Sequence, residues 1–268
     1  MATGTALITI NSGSTDQRLS YLLCFPRPSE EELRRRLRQL SSLGVAGILL
    51  GGPQKVDGLK VLGKGCDSLV VKALMGHAQV ALKIRRVDSH VKTLIVEGEN
   101  QRLANSVGVG AKVYRFSEDF IVMDLVEGRR IDEFVRLAGG SELKRVVVDL
   151  LRQCRRLDVL GLDHGELSRA HRHVIVKPCL EPVIMDFGSS SRSRRPANVS
   201  SLFSYLFLSK TDLSALVRKK LGALFDDEEA IKALREYKRN PSENSFKNVL
   251  SFVTPSEIEI SSLTKLQP

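Results

Sequence analysis

The chain has 268 residues and 29.7 kDa, 42% of them hydrophobic, with 41 Lys and Arg against 31 Asp and Glu for a formal +10. That apolar content excludes a disordered polymer, and a chain of this length buries an ordinary core as one or two domains. No apolar run approaches the roughly 20 residues of a membrane-spanning helix, and the positive surplus favours an anionic partner such as a nucleotide or nucleic acid. Trp is absent and aromatics are only 5%, which leaves little for base stacking. Cys24, Cys66, Cys154 and Cys179 form no C-x-x-C pair, so a cysteine zinc module is excluded and reduced thiols are expected. Ala6–Ile10 is too short for a signal h-region. The expectation is a soluble cytoplasmic protein with no membrane partner.

In chain order, Thr5–Ile10 and Ser20–Phe25 read as short strands around the turn-prone Asn11–Ser14. Ser29 followed by three glutamates marks a helix start, and Leu33, Leu37, Leu40 and Leu43 continue at helical spacing until Gly44. The arginines at 34, 35, 36 and 38 are expected on a solvated face. After the apolar run Val45–Leu50 the pattern turns to short strands at Leu59–Leu62, Leu69–Ala73 and Gln79–Ile84. A helix follows over Lys92–Val107, with strands at Lys112–Tyr114 and Phe120–Leu125. Beyond Arg129 the chain becomes mainly helical, with Glu142–Leu160 the longest segment. Short apolar runs at Val174–Val176 and Val183–Met185 precede a helical tail from Asn198. Strands first and helices second point to an α+β protein with two lobes.

Five features carry chemistry. Gly63-Lys64-Gly65 lies between two strands, where glycines let backbone amides approach phosphate. Lys83 sits in the apolar run Val80–Ile84 and needs an anionic partner, which Glu97 or Glu99 of the next helix can supply. Phe120–Gly128 is a strand running into a turn. Asp163-His164-Gly165-Glu166 follows the long helix. Finally, Asp186-Phe187-Gly188 ends an apolar strand, a position that exposes a carboxylate able to bind Mg²⁺.

In this order the set resembles the protein-kinase-like superfamily, and within it the small RIO-like and archaeal Ser/Thr protein kinase branch, over about residues 59–190. The resemblance implies a bilobal fold: an N-terminal extension (1–58), a β-rich N-lobe (59–126), a reduced α-helical C-lobe (127–255) and a tail (256–268). It implies ATP with Mg²⁺ or Mn²⁺ as cofactors, and a protein or small-molecule hydroxyl as phosphate acceptor. Gly63 and Gly65 would cover the phosphates, Lys83 would contact them while held by Glu97, and Met123, Asp124 and Val126 would form the adenine-facing hinge. Glu166 would orient the acceptor hydroxyl, and Asp186 with His173 would hold the metal.

The chain departs from the family pattern at two of these positions. Glu166 stands where the family has Asp, displacing the carboxylate by more than about 1 Å, a shift on the scale that costs 100-fold in rate. His173 stands where a metal-binding Asn is expected, with His171 as the alternative. A zinc site of His164, His171 and His173 with Glu166 or Asp163 is a competing reading of the same residues. The serine/arginine run Ser189–Arg195 offers a basic loop for an acidic partner or a phosphorylation target. Residues 59–195 hold 24 Lys and Arg against 17 Asp and Glu, +7 of the total. Two further readings follow: a nucleotide-binding pseudokinase, and an RNA- or ribosome-associated factor.

Overall fold

The structure, a computed structural model, describes residues 6–10 and 16–254. The turn expected at Asn11–Ser14 and the tail 256–268 lie outside the described residues. The chain divides into two compact units: residues up to Arg102 with Ala111–Val126, and Leu103–Gly110 with everything from Glu127. It is a mixed α+β protein whose strands pair antiparallel. Among the described residues no helix is long and apolar enough to cross a membrane.

The first unit contains β1 (Leu7–Thr9), α1 (Gln17–Leu23), α2 (Glu30–Leu43), β2 (Val45–Leu49), β3 (Gln54–Val56) and β4 (Leu59–Val61). After these come β5 (Gly63–Lys64), β6 (Ser68–Met75), β7 (Ala78–Arg85), α3 (Ile95–Asn105), β8 (Val113–Phe116) and β9 (Phe120–Asp124). The last turn of α3, from Leu103, groups with the second unit. The main sheet runs β1-β2-β6-β7-β9-β8, with β5 on the first half of β6, while β3 and β4 form a separate hairpin. Period-2 alternation divides its faces. Leu69, Val71, Leu82, Ile84, Phe120 and Val122 enter a core with Leu19, Leu22, Leu23, Leu37, Leu40 and Leu43 of α1 and α2. Val70, Lys83 and Ile121 form a cross-strand row on the other face, with Gly63 opposite Val70.

Three expectations are corrected here. Ser20–Phe25 is helical: Asp16 caps the helix by accepting the Arg18 amide, and Leu19, Leu22 and Leu23 share one buried face. That spacing is helical; β-propensity alone misassigned it. The described residues before 58 do not stand apart as an extension, because β2 pairs with β6 from Val45↔Met75 to Leu49↔Lys72 and widens the sheet.

The third correction concerns the arginine face of α2. Arg36 is fully buried, and its guanidinium donates to Glu32, to the Leu23 and Arg85 carbonyls and to Asp119. Asp119, also fully buried, further accepts from Arg35, Arg85 and Gln39. The hydrogen bond from Arg35, and then that from Arg36, holds the Glu32 carboxyl down at about 2. A helical wheel cannot show this, since the partner lies 83 residues away in the chain.

The second unit contains β10 (Arg129–Arg130), α4 (Ile131–Leu137), α5 (Gly140–Leu160), a 3₁₀ turn (Leu167–Arg172), β11 (Val174–Val176) and β12 (Pro182–Ile184). Its remaining helices are α6 (Asn198–Phe203, continued by one π turn to Leu208), α7 (Asp212–Leu221), α8 (Asp227–Arg239) and α9 (Glu243–Ser251). Helix α5 organises the core. Leu143, Val146, Val147, Leu150, Leu151, Cys154 and Leu157 recur at helical spacing and are fully buried among Phe187, Phe203 and Phe207. Glu142 receives the Gly139 amide at its start, and Gly161, at φ +80, ends it in the left-handed region that glycine adopts without strain. Strands β10, β11 and β12 form a small antiparallel sheet.

Near the C-terminal end of α5, Asp158 is buried. Its carboxylate accepts the Asn198 and Val199 amides, the Asn198 side chain and the Tyr237 hydroxyl. Burial raises its pKa, although these donors pull it back. Asn198 in turn accepts the His164 amide at 2.8 Å and donates to the Leu162 carbonyl. The loop after α5 is thus held by side chains that are themselves fully bonded.

Candidate functional site

In the first unit, Lys83 and Glu97 are both more than nine-tenths buried, and Lys83 Nζ donates to Glu97 Oε1 at 2.5 Å. Helix α3 explains which glutamate is used. Glu97, Asn100, Gln101 and Ala104 lie on its buried side, whereas Glu99 is exposed. Gly98 lets the helix approach β8, since a Cβ there would sit 2.5 Å from the Phe116 ring. Gln101 completes this side by donating to the Ala111 carbonyl at 2.8 Å.

The glycine turn differs from the expected amide cradle. The Lys64 amide is committed to Gln54 at 2.7 Å and the Gly65 amide to the Ser68 carbonyl at 2.8 Å, because the hairpin closes on itself. The turn is also anchored by Arg86, which donates to the Gly65 carbonyl. Neither glycine has a left-handed φ, and a Cβ at Gly63 or Gly65 would meet only ordinary contacts, at 3.9 and 3.6 Å. The chain's own packing therefore does not require glycine there. What the two residues leave out is a side chain on the turn next to the row that carries Lys83.

The expected hinge residues divide. Met123 is buried in the sheet, in register with Ala81 and Val113. Asp124 turns its amide to the Lys112 carbonyl at 2.9 Å, and its carboxylate accepts from the Tyr114 hydroxyl and the Lys112 amide. The Asp124 N–H is thus engaged within the sheet. Val126 is half-buried at the end of the unit.

In the second unit, β11, β12 and the loop after α5 bring together His164, Glu166, His173 and Asp186. His173 lies at the start of β11, and its carbonyl accepts the Met185 amide at 2.7 Å. This pairing across the small sheet sets the last residue before Asp186. Asp186 has φ +65, an uncommon conformation for a residue with a side chain, and is half exposed. Its neighbour Phe187 is fully buried, edge-on to His164 at 5.1 Å. The buried ring anchors the turn while the carboxylate reaches solvent.

His164 is fully buried, and burial pushes its pKa down to about 4. The neutral ring donates from Nε2 to the Met185 carbonyl at 3.1 Å, leaving Nδ1 to face the Glu166 amide at 3.4 Å. The neutral tautomer therefore ties the Glu166 loop to the strand that presents Asp186. Because the folded pKa lies below the ordinary 6.5, the unfolded chain binds the extra proton first. The stability tied to a neutral His164 is fully present above pH 6.5 and is lost as pH falls toward 4. About 3 kcal/mol is at stake. Urea titrations between pH 7 and pH 4 should show a steeper loss for the parent than for His164→Gln; equal slopes would refute this origin.

Gly165, at φ +87, sits between these two residues. A Cβ there would lie 2.4 Å from Arg194 Nη2 and 2.7 Å from the Ser189 carbonyl. Arg194 uses that space, donating to Asp163 at 2.9 Å and to the Ser189 carbonyl at 2.6 Å. Part of the expected basic loop is therefore folded onto the Glu166 loop, and Asp163 and Ser191 exchange backbone hydrogen bonds beside it. Sequence reasoning missed Arg194, Asn198 and Asp158 in these positioning roles. The available signal was a polar residue at an otherwise apolar position, Asp158 in α5 and Asn198 at the start of α6.

Around Asp186, His173 Nε2 lies 2.7 Å from Glu166 Oε2 and Nδ1 lies 3.9 Å from Asp186 Oδ2. His171 instead stacks against Tyr205, with ring centroids 5.9 Å apart. Among the described residues no group of three His, Cys, Asp or Glu side chains is placed to hold a metal.

The chain matches no known protein-family model. It is 24% identical over 115 residues to the "Uncharacterized protein MJ1211" of Methanocaldococcus jannaschii, covering 43% of this chain and 94% of that protein.

Proposed function

We propose that the chain is an ATP-dependent phosphotransferase, an atypical RIO-like Ser/Thr protein kinase with a β-rich N-lobe and a reduced helical C-lobe, acting on a hydroxyl of a protein or small molecule. The observation that carries this reading is the buried Lys83–Glu97 pair on the sheet row next to the glycine turn. A lysine buried at a cost in desolvation, held by the Glu97 carboxylate and adjoining a turn whose glycines the packing does not require, suits a nucleotide's phosphates. In this reading Gly63 and Gly65 give the phosphates room, and Asp186 with His173 would hold Mg²⁺ or Mn²⁺. Glu166 orients the acceptor hydroxyl through its second oxygen and takes up its proton. Catalysis is then mostly positioning and charge stabilisation.

The contact between Glu166 and His173 favours a second reading, a nucleotide-binding pseudokinase, because it occupies the carboxylate the transfer needs. Labelled-ATP transfer in Mg²⁺ and in Mn²⁺ separates the two. Under the first reading Lys83→Ala and Asp186→Ala abolish transfer, and Glu166→Gln lowers it by on the order of 100-fold or more. A parent that shows a nucleotide-induced thermal shift but transfers nothing is the pseudokinase. A parent with neither property ends both readings.

A further inference from the structure

We infer that His173 and Asp186 form a two-ligand metal site selective for a first-row divalent transition ion over Mg²⁺, with Glu166 outside the coordination sphere as the group that positions His173. The inference deepens the reading above, since it names the ion and a second role for Glu166. His173 is 5% exposed, and neither ring nitrogen has a hydrogen bond of good geometry within the protein. A buried imidazole in that condition is costly unless a ligand completes it.

The two nitrogens face different groups. Nε2 is against Glu166 Oε2 at 2.7 Å, while Nδ1 and Asp186 Oδ2 are 3.9 Å apart. Two ligands bound at about 2.1 Å to one ion lie roughly 3 to 4 Å from each other, so the second pair has the span of a shared metal. The first pair places a carboxylate beside the other ring nitrogen, where an outer group that orients a ligating histidine sits.

The surroundings hold the ring in place. His164 packs edge-on at 5.4 Å, and the His173 amide and carbonyl are bonded to Ala170 and Met185. Imidazole is a better ligand for Mn²⁺, Co²⁺ and their neighbours than for Mg²⁺, which prefers oxygen. Water or phosphate oxygens complete the coordination, as two protein ligands are what the side chains supply.

The test uses the metals alone with the full chain. Mn²⁺ binding is read by the loss of the free-ion EPR signal, Co²⁺ by its visible absorption, and Mg²⁺ by competition against Mn²⁺. Mn²⁺ is expected to bind about tenfold or more tightly than Mg²⁺. His173→Asn, which keeps a buried amide in place of the ring, should bring the two ions within about threefold and change the Co²⁺ spectrum. Glu166→Gln should weaken Mn²⁺ by about 10- to 100-fold. Equal Mn²⁺ and Mg²⁺ affinities in the parent, or a His173→Asn chain that folds and keeps the preference, would overturn the inference. Because no nucleotide is present, selective metal binding by a chain that never transfers phosphate would defeat the enzyme reading and leave the site standing.

Discussion

Removing either member of the Lys83–Glu97 pair alone is expected to destabilise the protein by about 3–5 kcal/mol, while replacing both with apolar residues recovers most of the loss. The two side chains lie in the sheet and helix interior at 7% and 8% exposure. Lys83→Met takes from the buried Glu97 carboxylate the ammonium it accepts from, and Glu97→Leu takes from the buried ammonium the carboxylate it donates to. In the double variant neither charge is buried, so the desolvation penalty disappears with the attraction that offset it. Urea denaturation of the four proteins measures the cycle. A single variant within 1 kcal/mol of the parent would show that water reaches the pair and that the desolvation argument fails. Under the proposed function the double variant is the informative one, since it should be folded and devoid of phosphate transfer. A pair kept only for stability would not be missed.

Asp119→Ala should produce a loss of similar or greater size, about 3–5 kcal/mol, with no direct contact to any proposed site residue. Its carboxylate is fully buried and accepts from Arg36 at 3.1 Å, Arg85 at 2.8 Å, Gln39 at 2.6 Å and Arg35. Its backbone carbonyl also takes the Arg85 amide, so the β8–β9 connection, the end of β7 and α2 meet at one residue. Alanine would leave Arg36 buried with Glu32 as its remaining counter-charge. Asp119→Asn keeps an acceptor but gives up the charge and should fall between alanine and the parent. The control is Arg34→Ala, which breaks the pair with Glu30 whose members are 67% and 89% exposed; it should change stability by about 0.5 kcal/mol or less. If the buried and exposed variants lose equal amounts in chemical denaturation, the network is not what joins α2 to the sheet.

These two clusters mark where the sequence was legible. Lys83 could be singled out because a lysine inside Val80–Ile84 breaks an apolar run, and a broken pattern is visible without any partner. Arg36 could not, because arginines beside leucines on a helix are the ordinary pattern of a solvated face. The side of α3 that turns inward was equally hidden. Ile95 and Leu103 made Glu99 plausible, yet Ile95 is exposed and the buried side runs through Glu97, Asn100, Gln101 and Ala104. The amides of Lys64 and Gly65 show the same limit, since their use depends on Gln54 and Ser68 across the turn.

By itself the amino-acid sequence determined the strand-rich first part and helical second part, and the caps at Ser29 and Gly44. Periodicity, capping and residue type are local properties, and local physics is enough to read them. Tertiary structure alone decided that β1 and β2 belong to the main sheet, that Arg36 is interior, and that Glu97 is paired with Lys83. It alone decided that Glu166 meets His173. Each of those outcomes depends on a partner tens of residues away or on which face of an element is buried. Such choices are settled by the cost of leaving a charge or a polar atom unbonded away from water, and that cost exists only once the chain has closed around it.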